Sequence, residues 1–106
     1  MNQQPVNWRS PNGPEFEWDP VKAQANLRKH GVPFLIACEA FKDDNRLEIP
    51  DFSIEYGEER WIVLGLVGQT ILSVVFTERG ERIRLISARR ADTDEKRTYW
   101  TGGVQA

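Results

Sequence analysis

Near residue 46 the residue pattern of this chain passes from a helical to a strand period, and that change limits the folds open to it. Before it, Ala23, Asn26, Leu27 and His30 fall at i, i+3, i+4, i+7, and Phe34, Ala37, Cys38 and Phe41 repeat the interval. Each set lines one face of a helix. After it, residues 46–49, 60–67, 70–78 and 82–88 read as strands, joined at Gly68-Gln69 and Arg79-Gly80 by tight turns. Asp19-Pro20 supplies an N-cap and first-turn proline, Gly31 ends the first helix, and Pro33 begins the second. Asp92-Thr93-Asp94-Glu95 has the form of a capping box and opens a last helix through about Trp100. Phe16-Glu17-Trp18 alternates as a short edge strand. The expected class is α+β: an N-terminal helical hairpin packed on a four-stranded antiparallel sheet, followed by a C-terminal helix. The strands are too apolar for a fully wet second face, which leaves that face as a partner or substrate surface.

At 106 residues the chain fits one domain. Residues 1–15, rich in Pro, Asn and Gln, read as a flexible tail; residues 16–100 form the domain, and residues 101–106 a short second tail. One cysteine, Cys38, excludes a disulfide framework and a cysteine-built zinc site, and one histidine, His30, excludes a His-rich site. The acids Asp43, Asp44, Asp51, Glu55, Glu58 and Glu59 lack a calcium-loop spacing and read as a solvated loop. No run approaches the roughly 20 apolar residues of a membrane span. Residues 61–76 come nearest and are interrupted by Gly65, Gly68, Gln69, Thr70 and Ser73. With no apolar signal-peptide core at the start, the expectation is a reduced, cytoplasmic domain.

Net charge is −2, yet residues 1–59 carry 6 Lys+Arg against 11 Asp+Glu, and residues 60–106 carry 8 against 5. That excludes a uniformly basic DNA-coating protein and leaves room for a local anion site. Ten of the fourteen basic residues are arginines, whose planar fork suits phosphate. Arg79, Arg82, Arg84, Arg89 and Arg90 fall within twelve residues, and Arg60 starts the neighbouring strand. They either grip phosphate or pair as a solvated face with Glu78, Glu81 and Glu95. Absent a bulge, Arg82 and Arg84 point one way while Ile83, Leu85, Ser87 and Arg89 point the other. Arginine stays protonated, so proton carriers are sought among His30, Glu59, Glu78, Glu95 and Tyr99. His30 acts either as a base or as a helix-terminal residue bonding the last carbonyls; Glu95 and Tyr99 share a helix face. Trp18, Trp61, Phe76 and Trp100 either stack bases or fill a small core.

The strings Phe16-Glu17-Trp18-Asp19-Pro20, Lys22-Ala23, Asn26-Leu27 and Lys29-His30-Gly31-Val32 are followed by Phe34, Ala37, Ala40, Phe41 and Asp43. Later come Glu59-Arg60-Trp61, Gly65, Val74-Val75-Phe76-Thr77-Glu78-Arg79, Ile86-Ser87-Ala88-Arg89-Arg90-Ala91, Glu95 and Tyr99. This combination closely resembles the BrnT family, toxins of bacterial type II toxin–antitoxin systems, over residues 16–99. The resemblance implies a RelE-like α+β fold and a metal-independent ribonuclease that inhibits translation, needing no organic cofactor. It implies a BrnA-type ribbon-helix-helix antitoxin, a toxin dimer within a heterotetramer, and operator DNA read only through the antitoxin. Carried onto this sequence, Arg79, Arg84 and Arg89 supply the positive field, with Arg60 and Arg90 as further phosphate contacts. Tyr99, Glu59 or His30 manages protons or orients the leaving group. The alternative is a catalytically inert module that holds a DNA-binding partner as co-repressor. A generic small-phosphate binder lacks the Gly-rich loop it needs.

Overall fold

A computed structural model describes residues 4–9, 13–52 and 59–103. Chain order is β1 (Val6–Arg9), β2 (Glu15–Trp18), α1 (Pro20–His30), α2 (Phe34–Ala37), a 3-10 segment (Cys38–Lys42), β3 (Leu47–Asp51), β4 (Arg60–Val67), β5 (Thr70–Arg79), β6 (Arg82–Arg90) and α3 (Thr93–Trp100). The expected helix signals operate as chemistry requires. The Asp19 side chain accepts from Val21 and Lys22 N–H, and Gly31 closes α1 at φ 72°. Asp92 and Glu95 form a reciprocal capping box on α3.

The sheet corrects the expected architecture. It has six strands in the order β1-β2-β6-β5-β4-β3, and it is mixed rather than four-stranded and antiparallel. β2 pairs parallel to β6, with Glu15, Phe16 and Glu17 opposite Arg82, Ile83 and Arg84. Phe16-Glu17-Trp18 is therefore an inner strand, because β1 pairs antiparallel along its outer side. β1 lies in the segment read as a tail: Val6-Asn7-Trp8-Arg9 alternates, and Val6 and Trp8 pack on the core. The helical hairpin also shrinks, since the second helix is one α-turn that tightens into the 3-10 segment. Glu55 and Glu58 lie outside the described residues.

α1, α2 and the 3-10 segment cover one face of the sheet. Phe16, Trp18, Val63, Val74, Phe76, Leu85 and Ala88 meet Val32, Phe34, Ala37, Cys38 and Phe41 there in one buried cluster. Burial pushes the Cys38 thiol up to about 12, which leaves it unreactive at neutral pH. Gly65 lets the 3-10 segment touch β4, since a Cβ there would lie 2.4 Å from the Ala40 carbonyl oxygen.

Asn26 is the polar exception in this layer. β2 accompanies β6 only as far as Arg84, so the outer edge of β6 beyond it needs another partner. The Asn26 amide donates to the Ala88 carbonyl at 2.8 Å and accepts from Ala88 N–H at 3.0 Å. It also donates to the Val32 carbonyl at 3.2 Å. One buried side chain thus stands in for a missing strand and ties the turn after α1 to the sheet.

Candidate functional site

The other face is covered only at one end. Tyr99 of α3, with Ala91 just after β6, packs against Leu64 and Ile71. The Tyr99 hydroxyl donates to Asp43 at 2.5 Å, and the same Asp43 oxygen accepts from Leu66 N–H at 2.8 Å. Burial, then this contact with the Asp43 charge, pushes the Tyr99 phenol up to about 12. Burial alone would raise the Asp43 carboxyl, but hydrogen bonds from Tyr99, Leu66 and Asn45 outweigh it and hold the group below its ordinary 3.8. At the start of α3, Arg89 forms a two-pronged pair with Glu95, at 2.7 and 3.0 Å, and Ser73 Oγ donates to Glu95 at 3.1 Å. Glu95 also accepts from Asp92 N–H at 2.9 Å, so one carboxylate joins the helix cap to the sheet.

A bulge decides which arginines share this face. Val75 pairs with Ser87 and Phe76 with Leu85, leaving Ile86 without a partner on β5. The alternation of β6 therefore changes phase: Leu85 and Ala88, three apart, both enter the helical core. Arg89 now points with Arg82 and Arg84 instead of against them, opposite Ser73 in register. Arg90 turns to the helical face, where it lines a hollow with Gly31, Pro33 and Ile36.

Away from α3, the residues form rows across the strands. Ile49, Ile62, Val75 and Ser87 make one row. The next holds Asp51 opposite Arg60, and Thr77 opposite Arg84, which is itself opposite Glu17. Arg60 precedes the Trp61–Phe76 pair and so adjoins Thr77. With strands about 4.8 Å apart, the stems of Arg60 and Arg84 stand about 10 Å apart, astride Thr77. The third row holds Arg79, Arg82 and Glu15. Arg84 donates to the buried Glu17 carboxylate at 2.7 Å, and Arg82 pairs with Glu15. Thr77 Oγ1 donates to the Glu59 carbonyl at 2.7 Å, which fixes Glu59 at the head of β4 beside Arg60. Both line one hollow with Pro50, Asp51, Phe52 and Trp61, the last of which packs on the helical core.

Five of the arginines singled out by sequence, Arg60, Arg79, Arg82, Arg84 and Arg89, thus share one face, and the Glu59 backbone carbonyl is held beside it by Thr77. Tyr99 lies under α3, and His30 ends α1 on the opposite side of the sheet. Glu17 was missed as a site residue, although its place in the Phe16-Glu17-Trp18-Asp19-Pro20 string was the available signal. Among the described residues no three His, Cys, Asp or Glu side chains gather as a metal site. No helix among them is long and apolar enough to cross a membrane.

The fold and this face define a small curled-sheet domain with an arginine-lined surface that α3 covers at one end. A family model described as "Ribonuclease toxin, BrnT, of type II toxin-antitoxin system" matches residues 18–95, and the chain belongs to this family. Membership makes it a ribonuclease toxin whose partner is a protein antitoxin. No curated relative matches the chain.

Proposed function

We propose that the open face holds RNA across the Arg60–Thr77–Arg84 row and promotes attack of a ribose 2′-hydroxyl on the adjacent phosphorus. The O2′–P bond forms, the P–O5′ bond breaks, and the products are a 2′,3′-cyclic phosphate and a 5′-hydroxyl. Arg60 and Arg84, aided by Arg79, stabilise the charge gathering on the phosphoryl oxygens. Glu59, whose backbone carbonyl Thr77 holds beside the row, accepts the 2′-hydroxyl proton on its carboxylate; the departing oxygen takes its proton from water. Glu17 is a positioning residue: its carboxylate accepts from Arg84 and lies beside Arg82, and it holds the Arg84 fork in place. Arg89 and Tyr99 act by docking α3, and Arg90 and His30 lie outside the RNA surface.

The observation that carries this reading is the row in which Arg60 and Arg84 flank Thr77 on the face that α3 leaves half open. Such transesterification is metal-independent, as in RelE-like toxins, and in a cell it inhibits translation in the cytoplasm. A BrnA-type ribbon-helix-helix antitoxin would neutralise the toxin in a heterotetramer built on a toxin dimer and would alone contact operator DNA. One observation favours the inert, partner-holding alternative: Arg82, Arg84 and Arg89 are each already paired with a carboxylate. The test is incubation of the purified chain with total RNA in excess EDTA. Cleavage leaving cyclic-phosphate ends is expected, and intact RNA with a folded protein would favour the inert module.

A further inference from the structure

Six large hydrophobic side chains are exposed among the described residues, and four of them, Val21, Leu27, Leu35 and Ile36, sit on α1 and α2. Leu27 and Leu35, 45 % and 51 % exposed, border one apolar groove floored by Trp18, Ala23 and Phe34. Pro33 also borders the second hollow, which holds Ile36, Leu72 and Arg90, so the two depressions form one surface. Scattered exposed leucines mean little, but a continuous apolar patch on a small domain marks a contact surface.

Charge selects the occupant. Residues 20–42 carry Lys22, Arg28, Lys29 and Lys42 against a single acid, Glu39, in a chain of net charge −2. Glu39 is paired with Lys42, and Arg90 adds a cation at the second hollow. A second copy docking through this face would bring like charges together. RNA is disfavoured because the exposed side chains are aliphatic and offer no ring for a base to stack on. An acidic, amphipathic protein segment with Leu-type anchors satisfies both features.

We propose that the α1–α2 groove anchors the antitoxin through an acidic amphipathic segment, on the face opposite the arginines. This rests on the protein-antitoxin partner that family membership supplies. The purified product of the neighbouring open reading frame is titrated into the full chain, into Leu27→Asp and Leu35→Asp, and into Arg84→Ala. Thermal melts verify that each variant is folded, and RNA cleavage is measured on every sample. Each leucine variant should bind about 30-fold more weakly, as a truncated hot spot does, and cleave RNA as the parent does. Arg84→Ala should bind within about threefold of the parent, a change too small for a lost anchor. Unchanged affinity in both leucine variants overturns the proposal, as does failure of the parent chain to bind. So does loss of cleavage with retained binding, which would assign the groove to RNA. If the parent binds and the leucine variants do not, but nothing cleaves RNA, the groove assignment stands and the ribonuclease mechanism falls.

Discussion

The two faces of this sheet solve different problems with different residue types. The helical face is dry: aromatic and aliphatic side chains interlock, and its buried amide, Asn26, has partners for both its oxygen and its nitrogen. The opposite face carries five arginines, with α3 closing one end of it. The first arrangement makes substitution expensive in folding. The second tolerates it in folding and concentrates the loss in what the face binds. Which face a β6 residue serves depends on a single extra residue, Ile86.

The largest expected effects strike the helical face. Asn26→Ala orphans the buried Ala88 N–H and carbonyl at the β6 edge, and urea unfolding should show a loss of about 3 kcal/mol. Gly65→Ala forces a Cβ against the Ala40 carbonyl and should cost about 2–3 kcal/mol in the same measurement. If either variant keeps parental stability, the contrast between the faces is wrong.

On the open face, Arg84→Lys keeps a charge but loses the fork, and cleavage should fall about 100-fold while the melting curve barely moves. Tyr99→Phe sharpens the boundary between α3 and the open rows. Losing the hydrogen bond to Asp43 should destabilise the protein by about 2 kcal/mol, and RNA cleavage per folded molecule should persist. The smallest effect is on pH. Asp43 is held below 3.8, so its contribution is present above that value and lost as pH falls through and below it. Tyr99 is raised from 10.0 to about 12, so its contribution is present below 10 and lost as pH climbs toward 12. Melting temperature should decline at both limits, and Tyr99→Phe should abolish the alkaline component.

What could be read from the sequence was local. Asp19, Gly31 and the Asp92–Glu95 box act on neighbouring backbone, so their types alone foretell the helix ends. Gly68 marked its turn for the same reason, with φ at 62°. The parallel β2–β6 pairing joins residues 67 apart, and nothing in either segment names its partner. β1 alternates as Val6-Asn7-Trp8-Arg9, but the Pro, Asn and Gln around it give the segment the composition of a tail. The bulge is the instructive case: strict alternation divides Arg84 from Arg89, and a single unpaired isoleucine brings them onto one face. Asn26 was placed on the correct helix face, but its role as substitute strand depends on how far β2 extends.

RNA cleavage should depend on which face of the sheet an arginine of β6 occupies. Single-turnover RNA cleavage by Arg84→Ala and Arg90→Ala, each verified as folded, tests it most directly. The expected result is a loss of about 100-fold for Arg84→Ala, comparable to removal of one oxyanion-stabilising donor, with Arg90→Ala within about twofold of the parent. Equal losses in both, or a loss confined to Arg90→Ala, would contradict the assignment of RNA to the open face.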